Sequence, residues 1–253
     1  MPDSVFKSVF EKHSSDLDPN SRAFCERVFS TPSSIYENRL RAIGFHGMDR
    51  VLDAGCGFGQ WALVMAGMNK ETHAIDEASS RIDFLSEMIA QGQRQITAKC
   101  SKVTCLEYPD GHFDGIFAYS VLFLGDWKRA LQEFHRVLRP GGRLFFNFND
   151  VGWYVHLWKN SPNAAGNYDP RRHAAQTFGR TVQYEQGVEE ALDGEKIIEQ
   201  AVCIDQLQLT GFTDIRCGPD GGLTIDPSIT VTPFFPELHE GLPGVREILC
   251  TKS

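Results

Sequence analysis

Chemistry is concentrated in residues 51–60, VLDAGCGFGQ, and in Asp76, the last residue of THAID. Val51 and Leu52 read as a short buried strand that Asp53 ends. Gly55, Gly57 and Gly59 then form a turn, and the apolar run from Trp61 to Met68 continues as a helix. Glycines suit such a turn because it needs positive φ and because a ligand can approach backbone that carries no Cβ. The amides opening the next helix favour a polar or anionic group. Spacing separates this loop from a dinucleotide-binding G-x-G-x-x-G, whose third glycine would fall on Gln60; the pattern here is G-x-G-x-G after an acidic residue. Asp76 ends a second strand, where a carboxylate can accept hydrogen bonds from both hydroxyls of a ribose. Its other possible role, capping the helix that begins near Ser79, is one Ser79 can fill itself.

These residues need elements that bring strand ends together, and the periodicity supplies them. Residues 72–76 are the second strand, and 79–91 a helix with Ile82, Leu85, Met88 and Ile89 on one face. Residues 95–99 give a third strand. After the Pro109-Asp110-Gly111 turn, 113–119 give a fourth, ending at Tyr119. A helix over 127–138 carries Trp127, Ala130, Leu131, Phe134, Val137 and Leu138 on one stripe, Arg139-Pro140-Gly141-Gly142 stops it, and 143–149 form the fifth strand. Later come a helix from Ile197 to near Gly211, a sixth strand over 212–218 and a seventh over 246–251. Before the first strand, helices are expected around Val5 to Phe10, around Phe24 and Val28, and from the 31–34 stretch (TPSS) to a cap at Gly44.

The run DAGCGFG, the PDG turn leading into FDGIFAY, and EFHRVLRPGGRLFF resemble, in this order, the class I S-adenosylmethionine-dependent methyltransferases, strongly over residues 35–149 and by element order elsewhere. The resemblance implies a Rossmann-like α/β fold: a seven-stranded sheet, mostly parallel with an antiparallel last strand, and helices on both faces. It implies S-adenosyl-L-methionine as co-substrate, S-adenosyl-L-homocysteine as product, and a loop of Gly55, Cys56, Gly57 and Gly59 around the methionine end. Asp53 would hold its amino group, Asp76 its ribose, and Glu77 would flank the adenine. Lys102 stands where many relatives carry an adenine-reading aspartate, so backbone near Val103 is expected to serve. In related enzymes the N-terminal segment covers the site, which brings in Tyr36 and Arg41. EFHRVLRPGG marks the scaffold, and His135 within it reads as structural.

Length and 42% hydrophobic content fit one domain, 1–253, with an N-terminal helical cover over 1–46, a core over 47–149 and 195–253, and an insertion over 150–194. The insertion is rich in aromatic residues, among them Trp153, Tyr154, Trp158 and Tyr168, with turn signals at Ser161-Pro162-Asn163 and Asp169-Pro170. It follows the fifth strand and would sit above the carboxyl ends of the strands as a lid. A net charge of −8 without a Lys/Arg cluster excludes a nucleic-acid footprint. No run approaches a signal peptide or membrane span, so a cytoplasmic protein is expected. Seven scattered cysteines without C-x-x-C suggest neither disulfides nor a metal site.

A sulfonium methyl is already activated, so the protein has mainly to hold a nucleophile in line and exclude water; an O–H or protonated amine acceptor also needs a base. His156 and Tyr119 are the candidates, and Tyr119 could equally touch the cofactor. The expected reaction is in-line methyl transfer to a small-molecule O or N nucleophile, with no membrane and no nucleic acid as partner. A protein methyltransferase and a non-catalytic binder of the same fold are the alternatives. A polyamine synthase would show an aspartate after the fourth strand, where Tyr119 and Ser120 stand, and AYSVLF lacks the Asn/Asp-Pro-Pro-Tyr motif of other acceptor classes.

Overall fold

In the computed structural model the described residues are 3–162, 164 and 168–253; Asn163, in one of the expected turns, lies outside them. Three helices come first: α1 (Asp3–His13), α2 (Pro19–Ser30) and α3 (Ser33–Ala42). Asp18 starts α2, its side chain accepting from the amides of Asn20 and Ser21, with Pro19 preset for the first helical position. There follow β1 (Arg50–Ala54), α4 (Gln60–Met65), β2 (Glu71–Asp76), α5 (Ser79–Gly92), β3 (Ile96–Cys100), β4 (Phe113–Ala118), α6 (Trp127–Val137) and β5 (Leu138–Asn149). The insertion supplies α7 (Val151–Asn160) and α8 (Pro170–Glu185). The chain closes with α9 (Gln200–Thr210), β6 (Phe212–Pro219), the small hairpin β7 (Leu238–His239) and β8 (Leu242–Pro243), and β9 (Val245–Lys252).

The main sheet runs β3-β2-β1-β4-β5-β9-β6. β1 to β5 pair in parallel, while β9 lies antiparallel between β5 and β6. This is the seven-stranded mixed α/β sheet that the sequence implies. Side chains alternate across it. Leu52, Ile116, Leu144 and Ile248 bury one face with residues of α6 and α9. Val51, Phe117, Phe145 and Leu249 bury the other with residues of α3 and α4. α1 and α2 close a third cluster over Phe58 and the buried side of α5.

Three boundaries differ from the periodic reading. β5 begins at Leu138, paired with Phe113, and the Arg139–Gly142 kink is absorbed as a register shift against β4. The later helix starts at Gln200, because Lys196 and Ile198 are extended, donating their amides to Phe123 and Asn149. Ser79 does not cap α5: Ala78 holds the cap position, without a side-chain bond.

Candidate functional site

The parallel strands β1, β2 and β4 deliver Asp53, Asp76 and Tyr119 to one edge of the sheet, as crossover connections in a doubly wound fold do. Between β1 and α4 the chain turns through Gly55, Gly57 and Gly59, with φ of 78°, 56° and 88°. Side chains disfavour those angles. The turn is pinned from below, since the amides of Gly55 and Cys56 both donate to the carbonyl of Ile75 at 2.8 Å. A Cβ on Gly55 would lie 2.4 Å from Val121 Cγ2, so the loop after β4 packs directly on the turn. Cys56 is buried, and burial pushes its thiol far up.

Asp76 is buried and already engaged: Oδ2 accepts from the amide of Gly57 at 2.9 Å and Oδ1 from the amide of Ala78 at 3.0 Å. Arg81 stands 3.7 Å away. Asp53 is 1% exposed, and its Oδ2 has no hydrogen-bond partner among the described residues. Burial raises its carboxyl to about 8, against the backbone amide of Ala62 and with the charge of Asp76 as a lesser contribution. An orphaned buried carboxyl oxygen is costly, and a cationic donor arriving there would relieve it.

Tyr119 belongs to a second group that the sequence did not suggest. Its hydroxyl donates to Asp220 Oδ1 at 2.9 Å, just past the end of β6. Arg39 of α3 donates to both oxygens of Asp220, at 2.6 and 3.1 Å, and also to Glu247 of β9. The amides of Phe234 and Phe235 complete the shell of Asp220. Arg39, Asp220 and Glu247 are all under 5% exposed. Burial works against the charge of Asp220, but the Arg39 hydrogen bonds outweigh it and hold its carboxyl below the usual range. Burial dominates at Glu247 and raises it to about 7. Aromatic rings wall this group: Trp61 lies 5.2 Å and Phe234 6.2 Å from the Tyr119 ring, and Phe234 sits under the Arg39 guanidinium at 4.4 Å. One signal was available, a glutamate inside the otherwise apolar alternation of β9, opposite Asn147.

The other expected residues are placed as follows. Tyr36 is buried, edge-on to Trp61 at 4.6 Å, with its hydroxyl on the carbonyl of Val28. Arg41 is exposed and pairs with Glu37, because the inward turn of α3 is occupied by Arg39 and Leu40. Glu77 is exposed beside Asp76, and Val103 is half-buried against the core. His156 of α7 accepts from or donates to Asn160 through Nδ1 and faces the His239 ring at 4.5 Å, with Trp153 next to it and Phe235 packed on Trp153. His135 packs on Phe212. A cleft of about 380 Å³ lies elsewhere, between α4 and the N-terminal helices, lined by Phe29, Tyr36, Gln60 and Arg94. Neither Asp53 nor Asp76 lines it. All seven cysteines are free, and no metal-ligating cluster occurs among the described residues. No described helix is long and apolar enough to cross a membrane.

Residues 51–142 match the family described as "Methyltransferase domain". Among similar proteins are a demethylmenaquinone methyltransferase of Thermus thermophilus, 33% identical over 38% of this chain and 44% of the relative, and a malonyl-[acyl-carrier protein] O-methyltransferase of Erwinia billingiae, 32% identical over 51% of this chain and 47% of the relative. The chain thus spans about half the length of the relatives it matches. Among solved structures, geranyl diphosphate C-methyltransferase of Streptomyces coelicolor, determined with S-adenosyl-L-homocysteine, aligns with a TM-score of 0.59 at 12% identity over 87% of this chain and 78% of that one. A possible histamine N-methyltransferase of Thermotoga maritima aligns with a TM-score of 0.55 at 16% identity over 98% of this chain and all of the other. At such identities the structural likeness speaks for the fold.

Proposed function

We propose that the chain is a class I S-adenosylmethionine-dependent methyltransferase, as the match of residues 51–142 to a methyltransferase domain supports, and that it methylates a small-molecule acceptor at an oxygen or nitrogen. The observation that carries this reading is the pairing of an engaged Asp76 with an orphaned, buried Asp53 across the glycine turn. An ammonium group fits the free Asp53 oxygen, and ribose hydroxyls fit the remaining lone pairs of Asp76. The backbone of Gly55, Cys56, Gly57 and Gly59 leaves no Cβ between turn and ligand except at Cys56, whose side chain is buried. Glu77 and the backbone at Val103 are the groups next along for an adenine, and Tyr36 backs the site from α3.

S-adenosylmethionine supplies an activated sulfonium methyl, so little chemistry is asked of the protein beyond orientation and dryness. Tyr119 is assigned to the acceptor, because its half-buried hydroxyl shares a sheet face with Asp53. His156 is the second proton-handling candidate, on the helix that leaves the carboxyl end of β5. Residues 150–194 are assigned as the cover. Calorimetric titration with S-adenosyl-L-homocysteine tests the premise: binding is expected in the wild type and strongly weakened in Asp53→Asn. Absence of binding to the wild type removes the proposal.

A further inference from the structure

We propose that Tyr119 is locked as a hydrogen-bond acceptor toward the site, so that the protein selects acceptors presenting an O–H or N–H donor and discriminates against carboxylates. The inference rests on the assignment of Tyr119 to the methyl acceptor and adds the polarity of the contact. A phenol has one proton and two lone pairs. Asp220 receives five donors: two from Arg39, the amides of Phe234 and Phe235, and the Tyr119 hydroxyl. An ionised carboxylate so surrounded has no proton to give, and the direction of the Tyr119 to Asp220 bond is therefore fixed. No described residue donates to the Tyr119 oxygen, which leaves its lone pairs for a ligand.

The charges around Tyr119 agree with this polarity. Arg39 from α3, Asp220 from the end of β6 and Glu247 from β9 are the charged groups that face it, and they sum to a single negative charge when Glu247 is ionised and to none when it is protonated. Neither state welcomes an anion, and the ionised state favours a cation. The surrounding rings of Trp61, Phe117 and Phe234 add an apolar, flat wall. The substrate class this describes is a neutral or cationic hydroxyl or amine on an apolar, aromatic-sized body.

Three matched probes test it by calorimetry on protein saturated with S-adenosyl-L-homocysteine: 2-phenylethylamine, 2-phenylethanol and phenylacetate. The amine and the alcohol are expected to bind about tenfold or more tighter than the acid, the penalty for facing lone pairs with an unpaired acceptor. Tyr119→Phe should bring the three together by weakening the donors. Asp220→Asn should narrow the gap between the donors and the acid, because a neutral amide no longer fixes the Tyr119 proton on residue 220. Phenylacetate binding to the wild type as tightly as the amine, an unchanged gap in Asp220→Asn with the fold intact by circular dichroism, or binding of none of the probes overturns the inference. Saturation with S-adenosyl-L-homocysteine in the same experiment separates such a result from failure of the methyltransferase reading.

Discussion

Asp53 and Asp76 end neighbouring parallel strands in opposite hydrogen-bonding states. The oxygens of Asp76 each hold a backbone amide, while Oδ2 of Asp53 holds nothing. Asp76 thus helps shape the turn, while Asp53 keeps one buried oxygen unpaired.

Proton uptake and release follow from Asp53. Burial raises its carboxyl to about 8, so it is largely protonated in the free protein near neutrality. A group raised in the folded state costs nothing below its unfolded value of 3.8 and lowers stability as pH climbs toward about 8. An ammonium docked on it restores the carboxylate and expels the proton. Titration of S-adenosyl-L-homocysteine at neutral pH, in buffers of different ionisation enthalpy, is expected to report release of up to about one proton per site. Asp53→Asn should abolish the release and weaken binding about tenfold to a hundredfold. Equal heats in all buffers would count against the assignment.

The second expectation concerns Gly55. Its φ of 78° and the 2.4 Å approach of Val121 leave no room for a methyl group. Gly55→Ala is expected to cost about 1–3 kcal/mol in chemical denaturation and to reduce cofactor affinity with it, since turn and loop shift together. Adding Val121→Ala should recover the packing part and not the backbone part. Full recovery in the double variant would show that φ strain is absent.

Much of the frame was legible because it repeats locally. The strands ending at Asp53 and Asp76 are bounded by turn residues, and α6 carries its apolar stripe at helical spacing, so neither needs a distant partner to be seen. The Arg39, Asp220 and Glu247 group was not legible, because its members come from α3, the end of β6 and β9 and meet only when β9 inserts antiparallel beside β5. Arg41, and not Arg39, is the residue expected at the site from the sequence. Two residues further around a helix, it faces water, and which arginine turns inward depends on where α3 docks. Lys196 is a third case: nothing in the sequence singles it out, yet it is fully buried, its ammonium held by the carbonyls of Gly125, Leu192 and Gly194.

Stability against pH should carry the mark of Glu247. Burial raises it to about 7, so it favours the folded state below its ordinary 4.5 and loses that contribution as pH rises through about 7. Glu247→Gln is expected to flatten part of the decline in urea stability between about pH 5 and 8, and Asp53→Asn a further part. Arg39→Met leaves two carboxylates buried together and should cost about 3–5 kcal/mol. That loss should be smaller at pH 5, where Glu247 takes up a proton. A loss of equal size at both pH values would mean that the glutamate is not the titrating group.

The pair α7 and α8 has its own pH dependence, centred on Glu195 at the start of the segment that follows the insertion. Its Oε1 accepts from the buried Tyr154 hydroxyl of α7 at 2.8 Å, and its Oε2 meets His173 Nε2 of α8 at 2.9 Å. The hydrogen bond that His173 donates to Glu195 is the main reason that His173 is raised above 6.5, with burial opposing it. A raised histidine stabilises fully below its unfolded value, and the contribution is lost as pH rises through the folded one. The tie between α7 and α8 is therefore strongest in mild acid and loosens above neutrality. Hydrogen exchange on α8, corrected for intrinsic rates, should show protection falling between about pH 6 and 8 in the wild type. Glu195→Gln keeps the Tyr154 contact but removes the charge that binds the imidazolium, so its α8 protection should be lower at pH 6 and nearly constant across the range. If the variant keeps the wild-type slope, the pH dependence belongs to another group; if it loses it, Glu195 is the residue through which the α7–α8 pair senses pH.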